Sequence, residues 1–119
     1  MRTATIHVRK VNDALAAARE GFLTAWKTGE YQGEHFDFES PAALFRALTP
    51  KRWELIECLQ GAGPLGVRAL ARALGRDVRR VHEDAAALLK VGMVEKTADG
   101  KLMVPFDEIR ADFVMRSAA

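Results

Sequence analysis

The stretch Gly75-Arg-Asp-Val-Arg-Arg-Val-His-Glu-Asp-Ala-Ala-Ala-Leu-Leu-Lys-Val-Gly92 decides how this chain is read. It predicts one helix, with Asp77 as N-cap and Gly92 as the residue that stops it. Val78, Val81, Ala85, Leu88 and Leu89 recur at helical spacing and are expected to share one buried face. At 100° per residue the opposite face carries Arg79, Arg80, Glu83 and Ala87. Two arginines at the start of a short helix whose other outer residues are small suit entry into a DNA major groove, where guanidinium forks reach guanine edges or phosphates. A solvated charged face is the competing reading of the same residues, and the neighbouring sequence has to separate the two.

Upstream, Val67-Arg-Ala-Leu-Ala-Arg-Ala-Leu74 gives two helical turns, apolar at Val67, Leu70, Ala71 and Leu74, with Arg68 and Arg72 outside. Gly75 ends it, and Ala71 is small where two helices joined by so tight a turn must approach. Further back, Ser40-Pro41 and Thr49-Pro50 are two cap-plus-proline starts. They open a short helix with Leu44, Phe45 and Leu48 inward, and a second from Pro50 to Gln60 burying Trp53, Ile56 and Leu59. Gly61-Ala-Gly-Pro-Leu-Gly66 is a turn region. Downstream of Gly92, Asp99-Gly100 between two strand-like runs predicts a hairpin, with Lys96 and Lys101 flanking its tip and Pro105 limiting the second strand.

The ends of the chain read differently. Thr3–Arg9 alternates, with Ile6 and Val8 on one side, and predicts a strand. A helix capped by Asn12 or Asp13 follows to about Thr28, its apolar stripe formed by Leu15, Ala18, Phe22, Ala25 and Trp26. Glu34–Glu39 alternates again, with Phe36 and Phe38 together. Strand, helix and strand of this length cannot bury both faces of a sheet. The segment is therefore expected to lie on the rest of the chain or on a second copy, with Ile6, Val8, Phe22, Trp26, Phe36 and Phe38 as dimer-interface candidates. Glu108–Met115 alternates in a way that favours a strand, although Ile109 and Phe113, four apart, also permit a helix.

In order, the elements from about Phe38 to Phe106 resemble the winged helix-turn-helix regulators of prokaryotes, broadly the MarR- and ArsR-like group. The similarity rests on Leu65-Gly-Val-Arg-Ala-Leu-Ala-Arg-Ala-Leu-Gly75, on Arg76-Asp-Val-Arg-Arg-Val-His-Glu-Asp84 and on Leu89-Lys-Val-Gly-Met-Val-Glu95. Phe38-Glu-Ser40 with Leu48-Thr-Pro-Lys-Arg-Trp53 looks like a subgroup of small regulators, some of which are antitoxins encoded beside a toxin. With an N-terminal strand-helix-strand extension over 1–39 and a C-terminal strand or tail over 107–119 read from their own residues, the expected fold is α+β in three parts, and for the middle part, 40–106, the resemblance implies a winged helix-turn-helix domain. It also implies double-stranded DNA as partner, repression as function, and a homodimer reading two half-sites. The alternative is a protein-interaction module that neutralises a cognate toxin, with DNA binding secondary. The ArsR-type cysteine motif is missing, so metal sensing is not implied.

Within that frame Arg76, Arg79, Arg80 and Glu83 are the expected base readers, and Arg68, Arg72, Lys96 and Lys101 the expected phosphate contacts. Glu83 is also placed to pair with Arg79 or Arg80 on its own helix, and His82, at the margin of the buried face, fits packing better than base contact. Charge agrees with this: residues 41–96 hold ten Lys/Arg against six Asp/Glu, a balance of +4, while each flank balances at −1. No enzyme is expected. His7, His35 and His82 fall in three different elements without metal-ligand spacing, and Glu83 and Asp84 are adjacent and point apart. The glycine-rich turn lacks the Lys-Ser/Thr of a phosphate loop, so no cofactor or metal is expected. A lone cysteine, Cys58, no membrane-length apolar run and no signal-peptide pattern point to the cytoplasm and away from a membrane.

Overall fold

A computed structural model describes residues 1–117. The fold is α+β and divides into two compact units, Ala47–Phe106 and the remainder, Met1–Arg46 with the chain from Asp107 on. The N-terminal segment and the C-terminal stretch, expected as separate parts, thus belong to one unit, and its boundary falls at 46/47 rather than 39/40.

The first unit is built on a parallel sheet in which β1 (Thr3–Val8) lies between β2 (Glu34–Phe38) and β5 (Glu108–Ala111). Ile6 faces Phe36 on one side and Ala111 on the other, so the strand expected at 108–115 exists but is shorter. Alternation sorts the sheet into two chemically distinct faces. Ala4, Ile6, Val8, Phe36, Phe38 and Ile109 share one face, with Ala4 and Ile6 each 1% exposed. Thr5, His7, His35, Asp37 and Arg110 share the other. Parallel neighbours need a crossover, supplied by α1 (Val11–Thr28), which starts at Val11 behind Lys10 rather than at an Asn12 or Asp13 cap. α1 buries none of its residues, and its apolar stripe, expected to lie on the rest of the chain or on a second copy, leaves Leu15, Phe22 and Trp26 exposed. α2 (Pro41–Ala47) begins where Ser40 Oγ accepts from Ala43 N at 3.0 Å; it buries Leu44 but leaves Phe45 exposed, edge-on to Phe113.

The second unit packs α3 (Pro50–Ala62), α4 (Val67–Leu74) and α5 (Val78–Val91) with a hairpin of β3 (Glu95–Lys96) and β4 (Leu102–Met103). Thr49 caps α3 by accepting from Arg52 N. The buried residues of α3 are Leu55, Ile56 and Leu59; Trp53, expected in the core, is only half-buried. With Leu48, Leu70, Ala71, Val81, Ala85, Leu88, Met93, Val94, Leu102 and Phe106 they form an apolar core containing no buried polar residue among the described ones. Leu65, in the turn region, bonds Leu102 in both directions, N to O at 2.9 Å and 2.8 Å, and adds a third edge to the hairpin. Among the described residues no helix is long and apolar enough to cross a membrane.

Gly75 makes the α4–α5 turn possible. Its φ of 63° lies in the left-handed region, which lets Arg76 N return to Ala71 O at 3.0 Å and closes the end of α4. Gly61, by contrast, sits inside α3 with open space where a Cβ would go. Gly75→Ala should therefore cost about 1–2 kcal/mol, and Gly61→Ala should stabilise by up to about 1 kcal/mol. Chemical denaturation of the two variants, read as midpoint shifts of opposite sign, checks both.

Candidate nucleic-acid interface

The local chemistry of α5 sets which side chains point outward. Asp77 caps it, accepting from Arg80 N at 3.2 Å, and Gly92, at φ 100°, ends it, both as expected. Val81, Ala85 and Leu88 are buried, which fixes the rotation of the helix. Arg79, Arg80 and Glu83 are left exposed on the other side. Val78 departs from the expected buried set: it is 37% exposed, because the first helical residue projects past the end of the core. His82, expected at the core margin, is exposed. No ion pair ties Arg79, Arg80 or Glu83 among the described residues, so the anticipated Glu83 rung is not formed and both guanidiniums are free.

Arg76 behaves differently from its neighbours. Its side chain is only 11% exposed, and Nη2 donates to Asp84 Oδ2 at 2.8 Å. Arg52 Nε, from α3, donates to Asp84 Oδ1 at 3.0 Å, while Arg52 Nη1 reaches Ala47 O at 2.9 Å. Asp84 is thus the centre of a three-residue clamp joining α3, the α4–α5 turn and α5. Its burial would raise the carboxyl pKa, but hydrogen bonds and charge from Arg76 and Arg52 outweigh that and hold it below the ordinary aspartate value. Arg76, expected to reach a base, is instead committed to this clamp. Adjacency in sequence with Glu83 gave no hint of it; the clue available was that Asp84, three residues on from Val81, sits at the edge of the buried stripe.

The phosphate candidates are spread along one unit. Arg68 and Arg72 are exposed on α4, and Lys96 is exposed on the hairpin. Lys101 lies 3.8 Å from Asp99 with half its side chain in solvent. The hairpin tip is ordered by Thr97 N donating to Lys101 O at 2.8 Å and by Lys101 N donating to Thr97 Oγ1 at 3.0 Å. A residue missed in the sequence joins them: Lys51, exposed at the start of α3, lines with Arg80 and Glu83 an open cleft of about 470 Å³.

Two other expectations are altered by the geometry. His7 and His35, assigned to separate elements, are brought together by the parallel β1–β2 pairing, with rings stacked at 5.2 Å and Nε2 to Nδ1 2.9 Å apart. Burial, Arg9 and His35 together press the His7 pKa down against the pull of Asp37 and Asp112. Among the described residues no group of three His, Cys, Asp or Glu is placed to hold a metal ion. Of the dimer-interface candidates, Ile6 is buried in the sheet, Val8, Phe36 and Phe38 are half-buried, and only Phe22 and Trp26 are open.

Residues 47–111 match the family model described as HVO_A0114, which is more than half of the chain. The chain belongs to the HVO_A0114 family. The HVO_A0114 match starts at the first residue of the second unit and ends at the last residue of β5, so it contains every arginine and lysine named above as a DNA contact. No curated protein and no solved structure matches the chain.

The clamp makes a signed prediction. Because the folded pKa of Asp84 is lowered, its stabilisation is complete above the unfolded value near 3.9 and disappears as pH falls through the folded value. Asp84→Asn, which leaves two largely buried guanidiniums unpaired, should cost about 2–4 kcal/mol at neutral pH. The gap between variant and wild type should shrink below about pH 4. Urea midpoints at pH 7 and pH 3 provide the check.

Proposed function

We propose that this member of the HVO_A0114 family is a winged helix-turn-helix DNA-binding regulator that represses transcription by occupying its operator. One observation carries the reading: Arg79 and Arg80 stand exposed and unpaired on the first turn of a helix whose other side is locked into an apolar core. The N-terminal turn of a recognition helix enters the major groove first. Each guanidinium can donate two parallel bonds to guanine O6 and N7, which no other base offers in that arrangement. Glu83, one turn further along and unpaired, is positioned to accept from cytosine N4.

The rest of the unit supplies the grip. α4 is the first helix of the pair, with Arg68 and Arg72 toward the backbone, and the hairpin is the wing, with Lys96 and Lys101 on the flanking phosphates. Lys101 exchanges a weak, solvent-exposed pair with Asp99 for a phosphate at little cost. Lys51 extends the basic surface next to Arg80. Arg76 acts indirectly by holding α5 through Asp84. The role requires no catalytic step and no cofactor, and it places the protein in the cytoplasm beside the chromosome.

Arg79→Ala with Arg80→Ala should abolish preference for a selected operator over random duplex while leaving the melting temperature within about 2 °C. Fluorescence anisotropy with operator and scrambled DNA reads it. Lys96→Ala and Lys101→Ala should instead weaken binding to all sequences, each reducing the slope of log K against log salt by about 1.

A further inference from the structure

α1 is an 18-residue helix that buries none of its residues. In proteins most of a helix's stability comes from packing an amphipathic face. The large apolar side chains of α1 are nevertheless outside, Leu23 at 42% exposure on another side of the helix and four others together: Val11 at 52%, Leu15 at 64%, Phe22 at 65% and Trp26 at 80%. At 100° per residue these four fall within about 60° of one another, a single stripe roughly 22 Å long. Ala17, Ala18, Gly21 and Ala25 line the cleft over the sheet, and Phe22, though 65% exposed, lines it as well. A stripe of this kind on a soluble chain marks an interface.

We infer that this stripe is a homodimer interface, in which α1 packs antiparallel against α1 of a second copy. The spacing identifies the occupant. Val11 and Trp26 lie equally far from the midpoint between Ala18 and Arg19, and so do Leu15 and Phe22. A two-fold contact requires a self-complementary patch, residue i meeting j while j meets i. Laid antiparallel about that midpoint, each copy sets Val11 against the partner's largest side chain, Trp26, and Leu15 against Phe22. Small meets large at both ends, and Ala18 and Arg19 flank the axis, each about 50° from the centre of the stripe. A foreign partner would have no need of this symmetry. The exposed area of the four side chains is roughly 500 Å² per copy, about 1,000 Å² for the pair when fully covered, which is the lower bound for a biological interface. The inference deepens the DNA-binding reading, which needs two copies for two half-sites, but its evidence lies wholly in the other unit.

Sedimentation equilibrium of the full chain without DNA should give twice the 13.2 kDa monomer mass. Phe22→Asp with Trp26→Asp should raise the dimer dissociation constant at least about 100-fold. Leu15→Cys with Phe22→Cys, in a Cys58→Ser background, tests the arrangement independently of whether the aspartate variant folds. Helix axes about 10 Å apart bring the Cα of position 15 to about 5.5 Å from that of position 22 on the partner, within disulfide range. Mild oxidation should therefore cross-link that variant to a covalent dimer, while Ala16→Cys in the same background, on another side of the helix, should stay uncross-linked. A wild-type monomer at 100 μM, as expected if the stripe instead docks a different protein, overturns the inference. So does a dimer that survives both aspartates in a chain of unchanged circular dichroism, or equal cross-linking of the 16 variant and of the 15 and 22 variant. A dimer that binds no DNA leaves the inference standing and removes the functional reading; a monomer that still selects an operator does the reverse.

Discussion

The packing of α4 against α5 through the three-residue turn 75–77 is the constraint on which the second unit depends. Leu70 and Ala71 on one helix and Val81, Ala85 and Leu88 on the other are all at most 3% exposed. Close approach is available only because Ala71 is small and because Gly75 takes the left-handed turn that Arg76 N closes back onto Ala71 O. Burying Val81, Ala85 and Leu88 leaves the helix no rotational freedom, so the direction of Arg79 and Arg80 follows from core packing. The Asp84 clamp adds a second restraint. Its carboxylate pairs with guanidiniums from α3 and from the turn, fixing the N-terminal half of α5 where the apolar core runs out and Val78 is already partly in solvent. Pre-orientation of this kind matters for the proposed role, because an arginine held in the right direction loses less freedom when it meets a base.

The two units distribute chemistry unequally. The second has an apolar core, a charged exterior and the net positive balance. The first places polar and ionisable groups, His7, His35 and Asp37, on the sheet face beneath α1, and leaves the helix's large apolar residues outside. In the proposed scheme association and DNA reading are therefore separable, one lying in α1 and the other in α5, although a two-fold operator requires both.

How much of this could be read from the sequence depended on the range of the interactions. Caps, stops and glycine turns are local, so α4, α5, Asp77, Gly75 and Gly92 were legible to the residue, as was the hairpin from its Asp99-Gly100 turn. Long-range pairing was not. Alternation in Thr3–Val8 and in 108–111 shows which side chains share a face but carries no information about partners, so the parallel pairing of β1 with both β2 and β5 was invisible. The apolar stripe of α1 is legible in the sequence, but whether it meets the rest of the chain or a second copy is not, since hydrophobic periodicity reports an interface without saying whether it lies within the chain. Arg76 was misread for a related reason: composition and position made it resemble its exposed neighbours, whereas its side chain turns back to a carboxylate eight residues on.

The central claim is that the exposed arginines of α5 read DNA sequence, and selection from a pool of random duplexes tests it most directly. Wild-type protein should enrich an inverted repeat whose half-sites contain guanine and lie about 10 base pairs apart, or a multiple of that spacing. The Arg79→Ala, Arg80→Ala double variant should return an unenriched pool. An unenriched pool from the wild type, or the same motif recovered by both proteins, would contradict the account.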